Sequence, residues 1–328
     1  MRTLLLLFTA ASLGCAAAPG TPVDAPLRAV VISDLNSSYG STTYDPEVGA
    51  IVRRITDEWR PDLVLIAGDM IAGQRASLSD ENVRAMWAAF DTTVAAPLRR
   101  AGIPFLFTVG NHDASGHPAH ERDRRFAAEY WRDVASGTGV TPLPGGDFPF
   151  HYAVLQRGVL FIVVDASTGA MARDSSQRAW LDRTLRSDAV RGAGLRVVLG
   201  HVPLYAVAEG KNRAGEVQEE PDALRAQLER GGVRLFVSGH HHAYYPGWRG
   251  ELELLHSGQL GQGPRPLIGS RLAPFKSVTL LELFPARDSA AERTYEVAGD
   301  SLRLVDIRTL PPRIDGINGY VIRRDLAR

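Results

Sequence analysis

Five short apolar runs, rich in β-branched and aromatic residues, punctuate the chain: RAVVISD from Arg28, DLVLIAGD from Asp62, FLFTVGNHD from Phe105, RVVLGH from Arg196 and RLFVSGH from Arg234. Each has the length and composition of a buried strand. Each stops abruptly at a polar residue, four of the five through or beside a glycine. Between them lie stretches with apolar residues at helical spacing: PEVGAIVRRITDEW, ENVRAMWAAFDTTVAAPLRR, RRFAAEYWRDV and PDALRAQLERG. Strands alternating with helices predict an α/β layered fold. FHYAVLQRGVLFIVVDAS reads as a hairpin turning near Arg157-Gly158, and GELELLHSG, FKSVTLLELF, RTYEVAG and SLRLVDI add strands without clear helices. No internal repeat or linker divides the chain, so residues 27–328 are expected to form a single domain.

The residues at the five run ends are Asp34, Asp69, Asn111, His201 and His240, all able to ligate a metal. In α/β sheets, sites form outside the carboxyl ends of the strands, so these side chains are expected to meet in one region. The stretch FVSGHHHAYYP adds a histidine run to a chain with only nine histidines. In extended backbone, alternate side chains share a face, which predicts that His240 and His242 converge while His241 points into a supporting layer or solvent. An H-x-H pair suits a metal held by neutral imidazoles. Asp34 and Asn36 repeat the two-residue spacing at the first run.

Composition narrows the function classes only a little. Of 328 residues, 45% are hydrophobic and 23% charged, a globular mix, with 37 basic residues balancing 37 acidic ones. No basic run supports a nucleic-acid surface, and no protein partner is inferred. No GxxxxGK loop is present, which removes nucleotide hydrolysis by that route. At the N-terminus, MRTLLLLFTAASLGCAAAPG has an apolar run too short to span a bilayer. Residues 1–18 are therefore read as an export signal, with 19–26 as a short tether. Cys15, the sole cysteine, follows SLG and resembles the cleavage and lipidation site of bacterial lipoproteins, although Ser12 stands where Leu is usual. The expectation is an exported protein, periplasmic or anchored to the membrane through lipid on Cys15; the plain alternative is cleavage near Ala17.

Taken in order, SDLN, GDM, GNHD, GH and GHHH resemble the blocks of the calcineurin-like metallophosphoesterase family, over roughly Val30 to His242. The resemblance implies a four-layer α/β/β/α sandwich and a centre of two divalent metal ions, drawn from Mn, Fe, Zn or Mg. It assigns Asp34, position 36, Asp69 and His242 to the first ion, with Asp69 bridging, and Asn111, His201 and His240 to the second. It further implies hydrolysis of a small phosphoester by in-line attack of a metal-bridging hydroxide, with His112 as proton donor. Two nearby cations would clamp the ester oxygens and neutralise developing charge. Asp113 is expected either to orient the His112 ring or to cap a helix or turn. A catalytically inactive scaffold on the same fold is the alternative; such relatives typically lose the acid, and His112 is intact.

The pattern departs from the family at one ligand position, where Asn36 replaces the usual His. Asn36 ligates through its amide oxygen and favours hard ions such as Mn, Mg, Ca or Fe over Zn, or it holds a coordinated water, or the first metal is lost. Purple acid phosphatases also lack that His but supply a Tyr three residues after the bridging Asp, where this chain has Ala72. Two rival hydrolase patterns fail on order. Amidohydrolase barrels carry H-x-H on the first strand, and the metallo-β-lactamase pattern needs Asp at 244, which is Tyr. The loop VAEGKNRAGEVQEEP is a candidate lid, with Lys211 and Arg213 as candidate phosphate-reaching groups. His117 and His120 are expected to be solvated, His151 and His256 to be structural, and Tyr39, Tyr44, Tyr244 and Tyr245 to flank the centre.

Overall fold

The computed structural model describes residues 25–327; the predicted export signal, Cys15 and all but Ala25 and Pro26 of the tether lie outside the described residues. The apolar runs are strands β1 (Leu27–Ile32), β2 (Leu63–Ile66) and β3 (Phe105–Phe107), then β4 (Tyr152–Gln156), β5 (Val159–Val163), β6 (Leu195–Leu199) and β7 (Leu235–Ser238). Strands β8 (Tyr245–Arg249), β9 (Leu252–His256), β10 (Lys276–Phe284), β11 (Ser289–Ala298) and β12 (Ser301–Leu304) follow. The last are β13 (Arg313–Gly316) and β14 (Gly319–Arg323). The hairpin β4–β5 turns through Arg157 (φ 47°) and Gly158 (φ 81°), the left-handed pair that matches the twist of two-residue hairpins.

Two sheets result. One has the order β12-β11-β10-β1-β2-β3 and the other β13-β14-β8-β9-β7-β6-β5-β4. Side-chain alternation in the first sheet explains how they stack. Leu27, Ala29 and Val31 of β1 and Leu63 and Leu65 of β2 turn toward the second sheet, into a shared core. Val30, Ile32, Val64 and Ile66 face the other way, into a separate cluster with residues of the helices around 46–59, 80–100 and 121–134. A strand with helices on one face and a sheet on the other is apolar on both, which is why β2, and β1 after Arg28, read as unbroken runs. The second sheet is covered in turn by the helices Ser175–Leu185 and Pro221–Arg230 through Trp180, Leu181, Leu224 and Leu228. The order is helices, sheet, sheet, helices: the four-layer α/β sandwich.

The predicted helices are present, and two contain a wider turn. Pro46–Arg53 continues through Arg54–Trp59, closed by the Arg60 amide on the Ile55 carbonyl, and Asp80–Phe90 runs through Asp91–Ala95 into Ala96–Arg100. Ser79 caps the second by accepting from the Asn82 amide at 3.1 Å, with Asp80 and Glu81 in the first turn, where the helix dipole favours acid. Helix Ser175–Leu185, which the apolar pattern does not announce, begins where Asp174 accepts from the Ser176 and Gln177 amides.

Within each sheet the central strands run parallel: β1 with β2 and β2 with β3, and β5 with β6, β6 with β7 and β7 with β9. Their carboxyl ends bring the five predicted ligand positions to one seam between the sheets, with Asp34, Asp69 and Asn111 on one side and His201 and His240 on the other.

Candidate metal centre and active-site cavity

Side chains from that seam form two groups of potential ligands: Asp69, His201 and His240, and Asp34, Asp69 and His242. Within each group the donor atoms lie within 4.8 Å of one another. Asp69 belongs to both, which places it at the bridging position. Asn111 joins the first group, its Oδ1 lying 3.1 Å from His201 Nε2. Asn36, two residues after Asp34, is also buried.

The backbone at these positions is unusual. Nine non-glycine residues have positive φ among the described residues, and four are Asp34, Asp69, His240 and His242. Left-handed backbone costs an L-residue roughly 1–2 kcal/mol, so concentration of it in one constellation is local strain held by the surrounding packing. The expected extended register for the H-x-H pair is therefore corrected. His240 (φ 67°) and His242 (φ 51°) converge through left-handed turns and reach different ligand groups. His241 is fully buried rather than solvated: it accepts from the Val207 amide at 3.3 Å and donates to the Glu216 carbonyl at 3.0 Å.

The glycines before the ligands have a steric reason. A Cβ on Gly110 would collide with the Asp69 carboxylate, and one on Gly239 with Ser33 Oγ, the Ala67 carbonyl and Asp34. Without side chains there, the two sheets' strand ends approach closely enough for the His240 amide to donate to the Asp34 carboxylate at 3.0 Å.

Three imidazoles are oriented alike. His201 Nδ1 donates to the Ala67 carbonyl at 2.8 Å, His242 Nδ1 to Gly263 at 3.0 Å and His112 Nδ1 to Gly73 at 3.2 Å. A carbonyl only accepts, so Nδ1 carries the proton and Nε2 is left as the free nitrogen. His201 Nε2 then faces Asp69 Oδ2 at 3.3 Å, and His242 Nε2 faces Asp34 Oδ1 at 3.3 Å. A lone pair against a carboxylate is repulsive unless a proton or a cation lies between. The donor set thus fits divalent cations. Electrostatics say the same: burial favours neutral His201, yet the Asp69 carboxylate outweighs it and pushes this imidazole up to about 9. Burial opposes ionisation of Asp34, and His242 overcomes it, holding that carboxyl below its ordinary value.

Asp113 does not touch the His112 ring. Its Oδ1 accepts from the Met70 and Ile71 amides at 2.7 and 2.9 Å and its Oδ2 from the Gly110 amide at 2.8 Å. Both oxygens are committed to backbone, so Asp113 caps the Asn111–Ala114 turn and braces the loop after Asp69. The orienting role belongs to the Gly73 carbonyl. The reading of Lys211 and Arg213 as free phosphate-binding groups also changes: they pair with Glu216, at 2.7 and 2.9 Å.

Glu216 is a site residue that the apolar pattern does not reveal. Its Oε2 lies 2.7 Å from His240 Nε2, leaving Nδ1 as the free nitrogen of that ring, while burial drives His240 down to about 4. Gln74 is another, accepting from Asn111 Nδ2 at 2.6 Å and so turning Asn111 Oδ1 toward His201. Neither lies at a strand end; the only signal in the sequence is an acidic cluster in a polar loop.

Above the buried donors opens a cavity of about 800 Å³, with Asn111, His112 and His240 in its wall. Tyr39 packs its ring 5.1 Å from that of His112 and also lines it. His117 and His120 line it as well, His117 being exposed as expected and His120 partly buried. Tyr44, Tyr244 and Tyr245 bond instead to Met70, Glu292 and Pro311. His256 donates one ring nitrogen's proton within the core, between the Tyr245 and Tyr205 carbonyls, and His151 packs on Trp180.

The model of the calcineurin-like phosphoesterase family matches residues 27–244. The chain belongs to the calcineurin-like phosphoesterase family. Within that family, it is 26% identical over 166 residues to the mouse (Mus musculus) serine/threonine-protein phosphatase CPPED1, covering 48% of each chain. The chain spans about half the length of the curated relatives it matches. Among solved structures it is similar to a purple acid phosphatase from yellow lupin (Lupinus luteus) seeds, with a TM-score of 0.56 at 14% identity, covering 87% of this chain and 54% of that one. It is similar also to a dimetal phosphatase from Danio rerio, with a TM-score of 0.51 at 14% identity, covering 82% and 95%. These likenesses are of fold.

Proposed function

We propose that the protein is a hydrolase that cleaves a small phosphoester at a centre of two divalent cations. The observation that carries this reading is the pair of buried ligand groups sharing Asp69 beneath a cavity that His112 lines. Asp69, His201, His240 and Asn111 would hold one ion, and Asp34, Asp69, His242 and Asn36 the other. Bound there, divalent cations supply Lewis acidity toward a phosphoryl group and lower the pKa of water to about 7. The Asn36 amide oxygen is a hard donor and favours a hard ion or an intervening water at the second position.

The chain's own groups do the rest. Gln74 fixes the Asn111 amide, and the Gly73, Ala67 and Gly263 carbonyls fix three ring tautomers, so little reorganisation accompanies substrate entry. With Nδ1 held by Gly73, His112 presents Nε2 as its mobile proton site, 3.9 Å from Asp69 Oδ2. Protonated there, it donates to the departing oxygen and restores neutral alcohol.

Elemental analysis of the purified chain, with assays on 4-nitrophenyl phosphate and bis(4-nitrophenyl) phosphate, tests the proposal. About two equivalents of divalent metal per chain and turnover of at least one ester are expected. Absence of turnover with every one of Mn, Fe, Zn and Mg would overturn it.

A further inference from the structure

A phosphoryl group fills only a small part of an 800 Å³ cavity, and the wall beyond the ligands is not neutral. Lys211, Arg213 and Arg265 line it together with Glu216 and Glu219. Glu219 is matched by Arg173 at 2.6 Å. Three cations therefore face one carboxylate, Glu216, which both Lys211 and Arg213 engage. Arg265 is left over. No carboxylate among the described residues pairs with its guanidinium, and its Nε is buried without a hydrogen-bond partner. A guanidinium is always charged and offers planar paired donors that match carboxylate and phosphate, so leaving one unmatched in a substrate cavity is costly unless a ligand completes it.

Arg265 is also held in place. Its amide donates to the His242 carbonyl at 3.0 Å, tying it to a ligand of the proposed centre. Ala208 bridges to Leu267, and the Glu209 amide donates to the Pro266 carbonyl at 2.9 Å, which joins this segment to the loop bearing Lys211. Gly210 makes room: a Cβ there would stand 2.9 Å from Arg265 Nη1.

We propose that Arg265 forms a second anion subsite, so that the substrate is a small phosphoester carrying another anionic group, carboxylate or phosphate, on its leaving-group side. The subsite deepens the phosphoesterase reading, which supplies the identity of the first group. Non-hydrolysable probes separate the two ideas. Binding of butylphosphonate, 4-phosphonobutyrate and 1,3-propanebisphosphonate to the metal-loaded protein is measured by calorimetry. One of the two doubly anionic probes is expected to bind about 10–100-fold tighter than butylphosphonate, and the tighter of them tells which second group is read. Arg265→Gln is expected to bring that ratio close to one. Equal binding of all three by the wild-type protein, or a ratio unchanged in Arg265→Gln, would overturn the subsite. In parallel, glycerol 3-phosphate and 3-phosphoglycerate are assayed as substrates. Selective probe binding with no turnover of either ester or of the two nitrophenyl esters would keep the subsite and sink the hydrolytic reading.

Discussion

Replacing Asp69 by alanine removes the one carboxylate common to both ligand groups. Asp69→Ala is expected to lose metal and activity together, which elemental analysis and an ester assay on the same sample would check. His112 stands outside both ligand groups, so His112→Ala should retain metal while turnover falls about 10²–10⁴-fold, most for esters with poor leaving groups. Equal loss across a leaving-group series would remove His112 as the proton donor. Asn36→His should tighten metal binding, since imidazole is the stronger donor for Zn and its neighbours; an unchanged affinity in a metal titration would mean that position 36 does not ligate. Most residues of the site were legible because each ligand interrupts an apolar strand with a polar side chain. Glu216 was not, and the choice between two roles for Asp113, and between a supporting and a solvated His241, was left open. Their roles depend on which backbone amides, imidazoles and carbonyls surround them, and those come from segments 24 to 43 residues away along the chain.

At the level of elements, the strand-to-loop junctions carry the strain. Asp34, Asp69, His240 and His242 take left-handed backbone directly after strands whose own geometry is regular. Gly239→Ala inserts a methyl where Ser33 and Asp34 already pack. It should therefore weaken metal binding and lower the melting temperature together, measured by calorimetry with and without metal; a fully metal-competent variant would show that the junction can relax. Periodicity predicted β1 to β7 and the long helices because burial on both faces or on one stripe leaves a readable pattern. It missed helix Ser175–Leu185, where only four residues are buried and the start is set by Asp174 capping. It also read H-x-H as extended, since nothing in composition distinguishes a strand's last residue from a left-handed turn.

Across the whole molecule, proton and cation compete for one place. The ordinary value for His201 is 6.5, and in the cation-free protein it stands at about 9 because the Asp69 carboxylate outweighs burial. A raised imidazole contributes stability that is complete below about 6.5 and lost as pH climbs through 9. The cation-free protein should thus melt lower as pH rises over that window. A divalent ion needs the neutral ring, so the stabilisation conferred by saturating metal should grow over the same range. Thermal melts with chelator and with metal, taken at half-unit steps, would show the two trends diverge; parallel trends would place the proton elsewhere. How the sheets stack was not readable from β1 and β2, whose apolar runs say only that both faces are buried; the four-layer order was implied by the family resemblance. That β10 joins β1, or that β14 closes on β8, was not readable either, because antiparallel partners so far apart leave no local trace.

Each ligand group draws on both sheets: Asp34 and Asp69 hang from one, His201, His240 and His242 from the other. An ion held there is consequently a rivet through two plates. Withdrawing it leaves the sheets joined by core packing and a few seam hydrogen bonds, while the Asp34 and Asp69 carboxylates repel each other at the unfastened edge. Sliding of one plate over the other would then separate the ligands of both ions at once, so that the ions should be gained and surrendered as a pair, and amide exchange at the ends of β1 and β7 should report their departure before any helix on the outside loosens.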